Sequence, residues 1–190
     1  MAKGIWSKLF GKAPAPPAVT FAPLPKDLGP AFANIDLAGL TIQPSDEALL
    51  GGLESWGWIG LEGLRPLLVT ATGDVFFEAS DAIVFLDTIE GDLLVAAADM
   101  TGLATVLSEP DGRDRWLLEG LLRAVQARGA GLADGQCYDF AVAPVLGGPI
   151  EADALAPFNF EVKLNIAGQL HEQVRNLPPG TKIGKVTISD

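Results

Sequence analysis

The sequence predicts an α+β fold: a largely antiparallel sheet built from hairpins, with helices packed on it, in a single domain. Three observations lead there. Two pairs of short apolar runs flank glycine-containing spacers of hairpin type. The long amphipathic runs come late in the chain and do not alternate with strands one for one. Finally, 190 residues, 48% hydrophobic and 19% charged, suffice to bury one substantial core.

The first 20 residues read as a flexible, basic and Pro-rich tail. Ile5, Trp6, Leu9 and Phe10 lie on one side of a notional short helix with Lys3, Lys8 and Lys12 around it. That pattern suits weak contact with a membrane or a partner groove, but two turns are marginal in isolation. Prolines 14, 16, 17, 23, 25 and 30 exclude regular helix or central strand there. The body begins near Phe21, and residues 21–63 form a helical and irregular part before the main α+β region over 64–190.

Ser45-Asp46-Glu47 supplies a cap and early acids for a helix reaching about Trp56, with Leu49, Leu50, Leu53 and Trp56 on one side. Gly51-Gly52 weakens it. Leu67–Ala71 and Val75–Glu78 flank Thr72-Gly73-Asp74; Ile83–Asp87 and Leu93–Ala97 flank Glu90-Gly91-Asp92. Both read as hairpins. The unalternating run Ile83-Val84-Phe85-Leu86 suits a strand covered on both faces.

From Arg113 to Arg128 the residues Trp116, Leu117, Leu121, Leu122 and Val125 recur at helical spacing, and Gly129 stops the run. Cys137–Val142 reads as a strand. Val162, Ile166, Leu170, Val174 and Leu177 predict a helix ended by Pro178-Pro179, and Ile183–Ile188 a last strand.

The net charge is −11. Four of the 13 basic residues and none of the 24 acids precede position 27, so the remainder carries nine bases against 24 acids. Such a surface repels phosphate backbones and anionic lipid and attracts basic proteins, although acidity also serves solubility. Direct nucleic-acid binding is not expected. No apolar run is long enough for a membrane span, and the start lacks a signal core. With the single cysteine, Cys137, this predicts a cytoplasmic protein without intrachain disulfides.

The usual sets of reactive groups are incomplete. One histidine and one cysteine exclude a clustered Cys/His zinc site, and neither a P-loop, a dinucleotide fingerprint nor a nucleophile elbow is present. A Cys137–His171 pair oriented by Asn159 or Asn165 is the sharpest enzymatic reading, set against Cys137 as a small buried hydrophobe and His171 as a surface residue. Asp87 with Glu90 and Asp92, or Asp111 with Asp114, read as turn acids before they read as metal ligands or an acid–base pair. Trp56-Gly57-Trp58 reads as core before it reads as a pocket lining. No enzyme, cofactor or metal is expected.

Gly73-Asp74-Val75-Phe76-Phe77, Val84-Phe85-Leu86-Asp87 and Trp116-Leu117 precede a more specific stretch. It comprises Gly135-Gln136-Cys137-Tyr138, Leu146-Gly147-Gly148 and the run Glu161–Leu177 into Pro178-Pro179-Gly180. In this order the motifs, over roughly 64–186, resemble the C-terminal domain of the type VI secretion immunity proteins, whose founding member protects its producer from a secreted DNase. Two positions depart from the pattern: Asp139 stands where many relatives have glycine, and Ala141 where they have a basic residue. The resemblance implies a non-catalytic binding protein that neutralises a cognate toxin. Gly73, Gly147 and Gly148 would then serve turns, and Phe77, Phe85 and Tyr138 the core. The partner would meet acidic surface, with Glu90, Asp92, Asp111 and Asp139 as candidate contacts. The alternative is a housekeeping interaction or ligand-binding module, with a small molecule near Trp56–Trp58.

Overall fold

The computed structural model describes residues 21–178 and 180–189; the predicted basic tail and its Ile5–Phe10 face lie outside them. The hairpin chemistry produces a five-stranded antiparallel sheet in simple sequential order: β1 (Thr41–Ile42), β2 (Arg65–Thr70), β3 (Val75–Glu78), β4 (Ile83–Asp87) and β5 (Asp92–Ala97). Gly73 and Gly91 take the positive φ that their turns require, +85° and +77°. A second, two-stranded antiparallel sheet pairs β6 (Gln136–Phe140) with β7 (Leu155–Asn159). The Tyr138 N–H donates to the Ala71 carbonyl at 2.7 Å, which ties this ribbon to the first hairpin.

Among the described residues five α-helices accompany the sheets: α1 (Asp46–Leu53), α2 (Met100–Ser108), α3 (Pro110–Leu117), α4 (Glu119–Ala127) and α5 (Phe160–Val174). Ser45 caps α1 as expected, its side chain accepting from the Ala48 N–H, and a 3-10 turn over Glu54–Trp56 extends it. Side chains alternate across the sheet, so it has two apolar faces. Phe76 and Phe85 point to one, where Leu103, Leu107, Trp116, Leu122 and Val125 of α2 to α4 cover them. Val75, Phe77 and Leu86 point to the other, under Leu49, Leu53, Phe160 and Leu164 of α1 and α5. The continuous apolar run in β4 is explained by this double cover. Phe76, Phe85 and Trp116 form an aromatic cluster, with Phe85 and Trp116 edge to face at 5.2 Å.

The structure corrects four expectations. The helix predicted over 113–128 is two helices, broken at Leu118, whose φ of 52° is left-handed. The Asp114 carboxylate accepts from the Gly120 N–H at 2.9 Å and so caps the second segment. The bend lets both Trp116-Leu117 and Leu122-Val125 reach one face of the sheet. Such a backbone costs about 1–2 kcal/mol, less than burying those side chains returns.

Secondly, α5 is rotated from its predicted phase. Val162 and Leu177 are exposed, while Phe160, Lys163, Leu164, Ala167, Gly168 and His171 are buried. Thirdly, α5 ends at Val174, before Pro178. Fourthly, residues 183–188 form no strand. They run beside α5, where Gln173 donates to the Thr187 carbonyl and accepts from its N–H (2.9 and 3.1 Å), and Gln169 does the same for Ser189.

Residues 21–63 share the core, since β1 pairs with β2 and α1 packs against α5. That packing is close because it crosses glycines. A Cβ on Gly52 would lie 2.8 Å from the Leu164 side chain, and one on Gly168 2.1 Å from Ser55 Oγ. Gly51-Gly52 therefore weakens the helix locally and permits the contact that holds it.

Candidate functional site

The first hairpin carries Thr70, Thr72 and Asp74 around its turn, all buried. Oδ2 of Asp74 accepts from the hydroxyls of Thr70 (3.0 Å) and Thr72 (2.7 Å). Its Oδ1 accepts from the backbone N–H and the hydroxyl of Thr88, at 2.9 and 2.6 Å. The Thr88 hydroxyl in turn accepts from Lys163 Nζ on α5, and the Thr88 carbonyl accepts from His171 Nε2 at 3.2 Å. A carboxylate and an ammonium are thus joined through one hydroxyl, each less than a tenth exposed. The geometry satisfies a buried charge in the way burial demands.

Beside this cluster a small cavity of about 50 Å³ opens between Thr72, Asp139, Lys163 and His171. Burial pushes the Asp139 carboxyl above its ordinary range, with Lys163 pulling the other way. Burial lowers His171, and Lys163 adds to that. His171 also fills the space over Gly91, where a Cβ would lie 2.3 Å from its ring.

His171 is therefore a core residue bracing the turn between β4 and β5, and not the surface residue of the sequence reading. Cys137 is buried as expected, and burial pushes its thiol up to about 12. No hydrogen bond joins it to His171, whose Nε2 is committed to Thr88. Nor do the asparagines orient that ring: Asn159 caps α5 and Asn165 donates to the Gly51 carbonyl. The arrangement gives a thiol that burial holds protonated, with no hydrogen bond to His171.

The remaining candidates are likewise occupied. Asp87 accepts from the N–H groups of Ile89 and Glu90, both at 2.9 Å, and closes its own turn; burial raises it, with Asp74 adding to the effect. Trp56 is fully buried and donates to the Leu164 carbonyl at 2.8 Å. Trp58 donates to the Gly168 carbonyl under the Arg175 guanidinium. Both tryptophans brace α5. Among the described residues, no three His, Cys, Asp or Glu side chains come together to hold a metal.

Glu90 and Asp92 are exposed on the turn between β4 and β5, and Asp139 lies half-buried in β6 beside the cavity. Glu90 and Asp92 lie near His171 in the last turns of α5, whereas Asp139 lies near Lys163 in its first turns. Asp111 stands apart, exposed in the first turn of α3 on the other helical layer. The sequence reading missed Lys163 and the three threonines. The cue was available in Thr70-Ala-Thr-Gly-Asp74, where two hydroxyls bracket a carboxylate across a turn.

Residues 97–171 match the family model described as T6SS immunity protein Tdi1, C-terminal. That stretch, and not the chain as a whole, is similar to the C-terminal domain of type VI secretion immunity proteins. It runs from the last residue of β5 through α2, α3, α4, β6 and β7 to His171 in α5. The matched segment therefore contains Trp116-Leu117, Gly135–Tyr138, Leu146–Gly148 and most of α5. The hairpin motifs at 73–77 and 84–87 lie before it. No curated protein matches the chain. Within the immunity segment the glycines behave as the resemblance implied: Gly147 has a φ of +90°, and a Cβ on Gly148 would lie 1.9 Å from the Val142 carbonyl oxygen. No helix among the described residues is long and apolar enough to cross a membrane.

Proposed function

We propose that this chain is a non-catalytic, cytoplasmic immunity protein that binds and neutralises a cognate type VI secretion toxin, in keeping with a nuclease target. The observation that carries this reading is the match of residues 97–171 to the immunity family. The polar cluster supports it from the chemical side, because each reactive group is used to hold the fold: Asp74 binds three threonines, His171 a carbonyl, and Cys137 is a protonated core thiol.

Recognition then falls to the surface. A nuclease cleft is basic because it holds DNA, and an acidic partner is steered to it at a rate that salt reduces. Glu90 and Asp92, on one turn, are the first candidates, with Asp139 beside Lys163 and Asp111 as a separate, distal contact. We read residues 64–190 as the immunity-type region and 21–63 as an added part that shares its core.

Co-expression with the product of the adjacent gene tests the proposal. Growth rescue together with recovery of a complex supports it. A neighbour that kills equally in the presence of this chain refutes it, and a harmless neighbour removes its toxin and turns attention to small-ligand screening.

A further inference from the structure

Strand β5 closes one side of the main sheet, with β4 as its only strand neighbour among the described residues. Its sequence is Asp92-Leu-Leu-Val-Ala-Ala97. Leu94 is 39% and Val95 69% exposed. In a strand these two point to opposite faces, so the helical layers, which half-bury Leu93, Ala96 and Ala97, leave both faces open at Leu94 and Val95. Natural sheets usually blunt such edges with lysine, proline, an inward charge or a bulge, and of these β5 has only a bulge, Ala96 standing unpaired between Val95 and Ala97. One register shift, opposite Ile83/Val84, disturbs only its far end. Leu93 to Val95 remain regularly paired with β4 and form a short apolar template.

Acids frame this template. Glu90 and Asp92 stand at one end and Asp99, which also caps α2 through the Gly102 N–H, at the other; all three are exposed. We propose that β5 is the docking edge for an extended, basic-flanked strand of the toxin, which adds to the sheet by main-chain hydrogen bonds; this rests on the immunity reading above. Backbone pairing would supply affinity, apolar contacts at Leu94 and Val95 register, and the three acids the preference for a cationic partner. A second copy of this chain fits less well. Antiparallel self-pairing centred on Leu94-Val95 would bring Glu90 against Asp99 of the other copy, between molecules each of net charge −11.

The test uses the full chain and the adjacent-gene product in a form disabled by an active-site substitution. Val95→Lys places an edge-guarding cation on an exposed position and should leave the circular dichroism and melting temperature unchanged. It should weaken the complex at least about tenfold, while Val142→Lys, on an exposed loop, leaves affinity within about twofold. Hydrogen exchange of the unaltered protein adds a readout independent of any variant: residues 92–97 should become protected in the complex.

If Val95→Lys folds and binds as tightly as the parent, or 92–97 gain no protection, the β5 proposal is overturned and the immunity reading stands. If the unaltered chain does not bind at all, both fall. If light scattering shows a toxin-free dimer that Val95→Lys dissociates, the occupant is a second copy and the toxin-strand assignment is overturned.

Discussion

Asp74 and Thr88 are joined twice through one oxygen: Oδ1 of the carboxylate accepts both the backbone N–H and the hydroxyl of Thr88, at 2.9 and 2.6 Å. This link ties the turn of the first hairpin to the end of β4, and through the Thr88 hydroxyl it reaches Lys163 on α5. Removing the carboxylate takes the acceptor from the Thr88 hydroxyl and N–H and from the Thr70–Thr72 hydroxyl pair, and leaves the buried Lys163 ammonium without a nearby counter-charge. Asp74→Ala should therefore destabilise the fold by about 3–5 kcal/mol. Thr70→Val, which removes a single hydroxyl, should cost about 1–2 kcal/mol. Urea denaturation of both variants checks the ordering, and equal costs would refute the central place given to Asp74.

The glycines between α1 and α5 give a prediction whose sign opposes helix propensity. Alanine is favoured over glycine in a helix interior by about 1 kcal/mol. At Gly168, however, the added Cβ would lie 2.1 Å from Ser55 Oγ and 2.9 Å from the Ser55 carbonyl carbon. The hydroxyl can rotate away, but the backbone atom cannot. Gly168→Ala should thus destabilise by about 1–3 kcal/mol, and Ser55→Gly in the same chain should restore only part of the loss. A rise in melting temperature for the single variant would refute this packing.

Cys137 offers a chemical test of the core. Burial holds its thiol at about 12, and the thiolate is the reactive form. At about pH 8 the folded protein should resist a maleimide or an aromatic disulfide reagent for as long as it stays folded. Denaturant should expose one reactive thiol per chain. Rapid labelling of the native protein would place the thiol outside the core.

His171 sets a pH dependence. It faces the Thr88 carbonyl, the turn at Gly91, Lys163 on its own helix, and the carboxylates of Glu90 and Asp92. Burial, reinforced by Lys163, lowers it from an ordinary value of 6.5. The unfolded chain then takes up this proton before the folded one, so stability is full above about pH 6.5 and declines below it. Asp87 and Asp139, both raised from 3.8 by burial, act with the opposite sign. They hold protons longer when folded, so their contribution grows as pH falls through their raised values toward 3.8. Denaturation midpoints between about pH 5 and 8 should slope downward toward acid for the parent and flatten for His171→Gln. An unchanged slope in that variant would assign the effect to another group.

Local chemistry made much of the fold legible. Thr72-Gly73-Asp74 and Glu90-Gly91-Asp92 each bend the chain within a few residues, using a glycine at positive φ. Such turns pair the flanking strands without reference to anything distant. Ser45 caps α1 through its own side chain. The site was less legible because its members are far apart in sequence: Asp74, Thr88, Lys163 and His171 meet only when the sheet and α5 pack. Lys163 falls outside the stripe that the apolar spacing at Val162, Ile166 and Leu170 suggests, so nothing local marks it as buried.

By itself, the sequence determined the hairpins β2–β3 and β4–β5, the double cover of β4, the cap of α1 and the immunity-type motifs, because each rests on residues adjacent in the chain. Only the tertiary structure decided the break at Leu118, the rotation of α5, the pairing of β6 with β7 and the course of residues 183–188. Each of these has a local alternative of similar energy, a straight helix, another helical face, or a free strand. Burial against a partner tens of residues away selects among them. The same long-range packing leaves β5 as an open edge, a property that no window of its own six residues encodes.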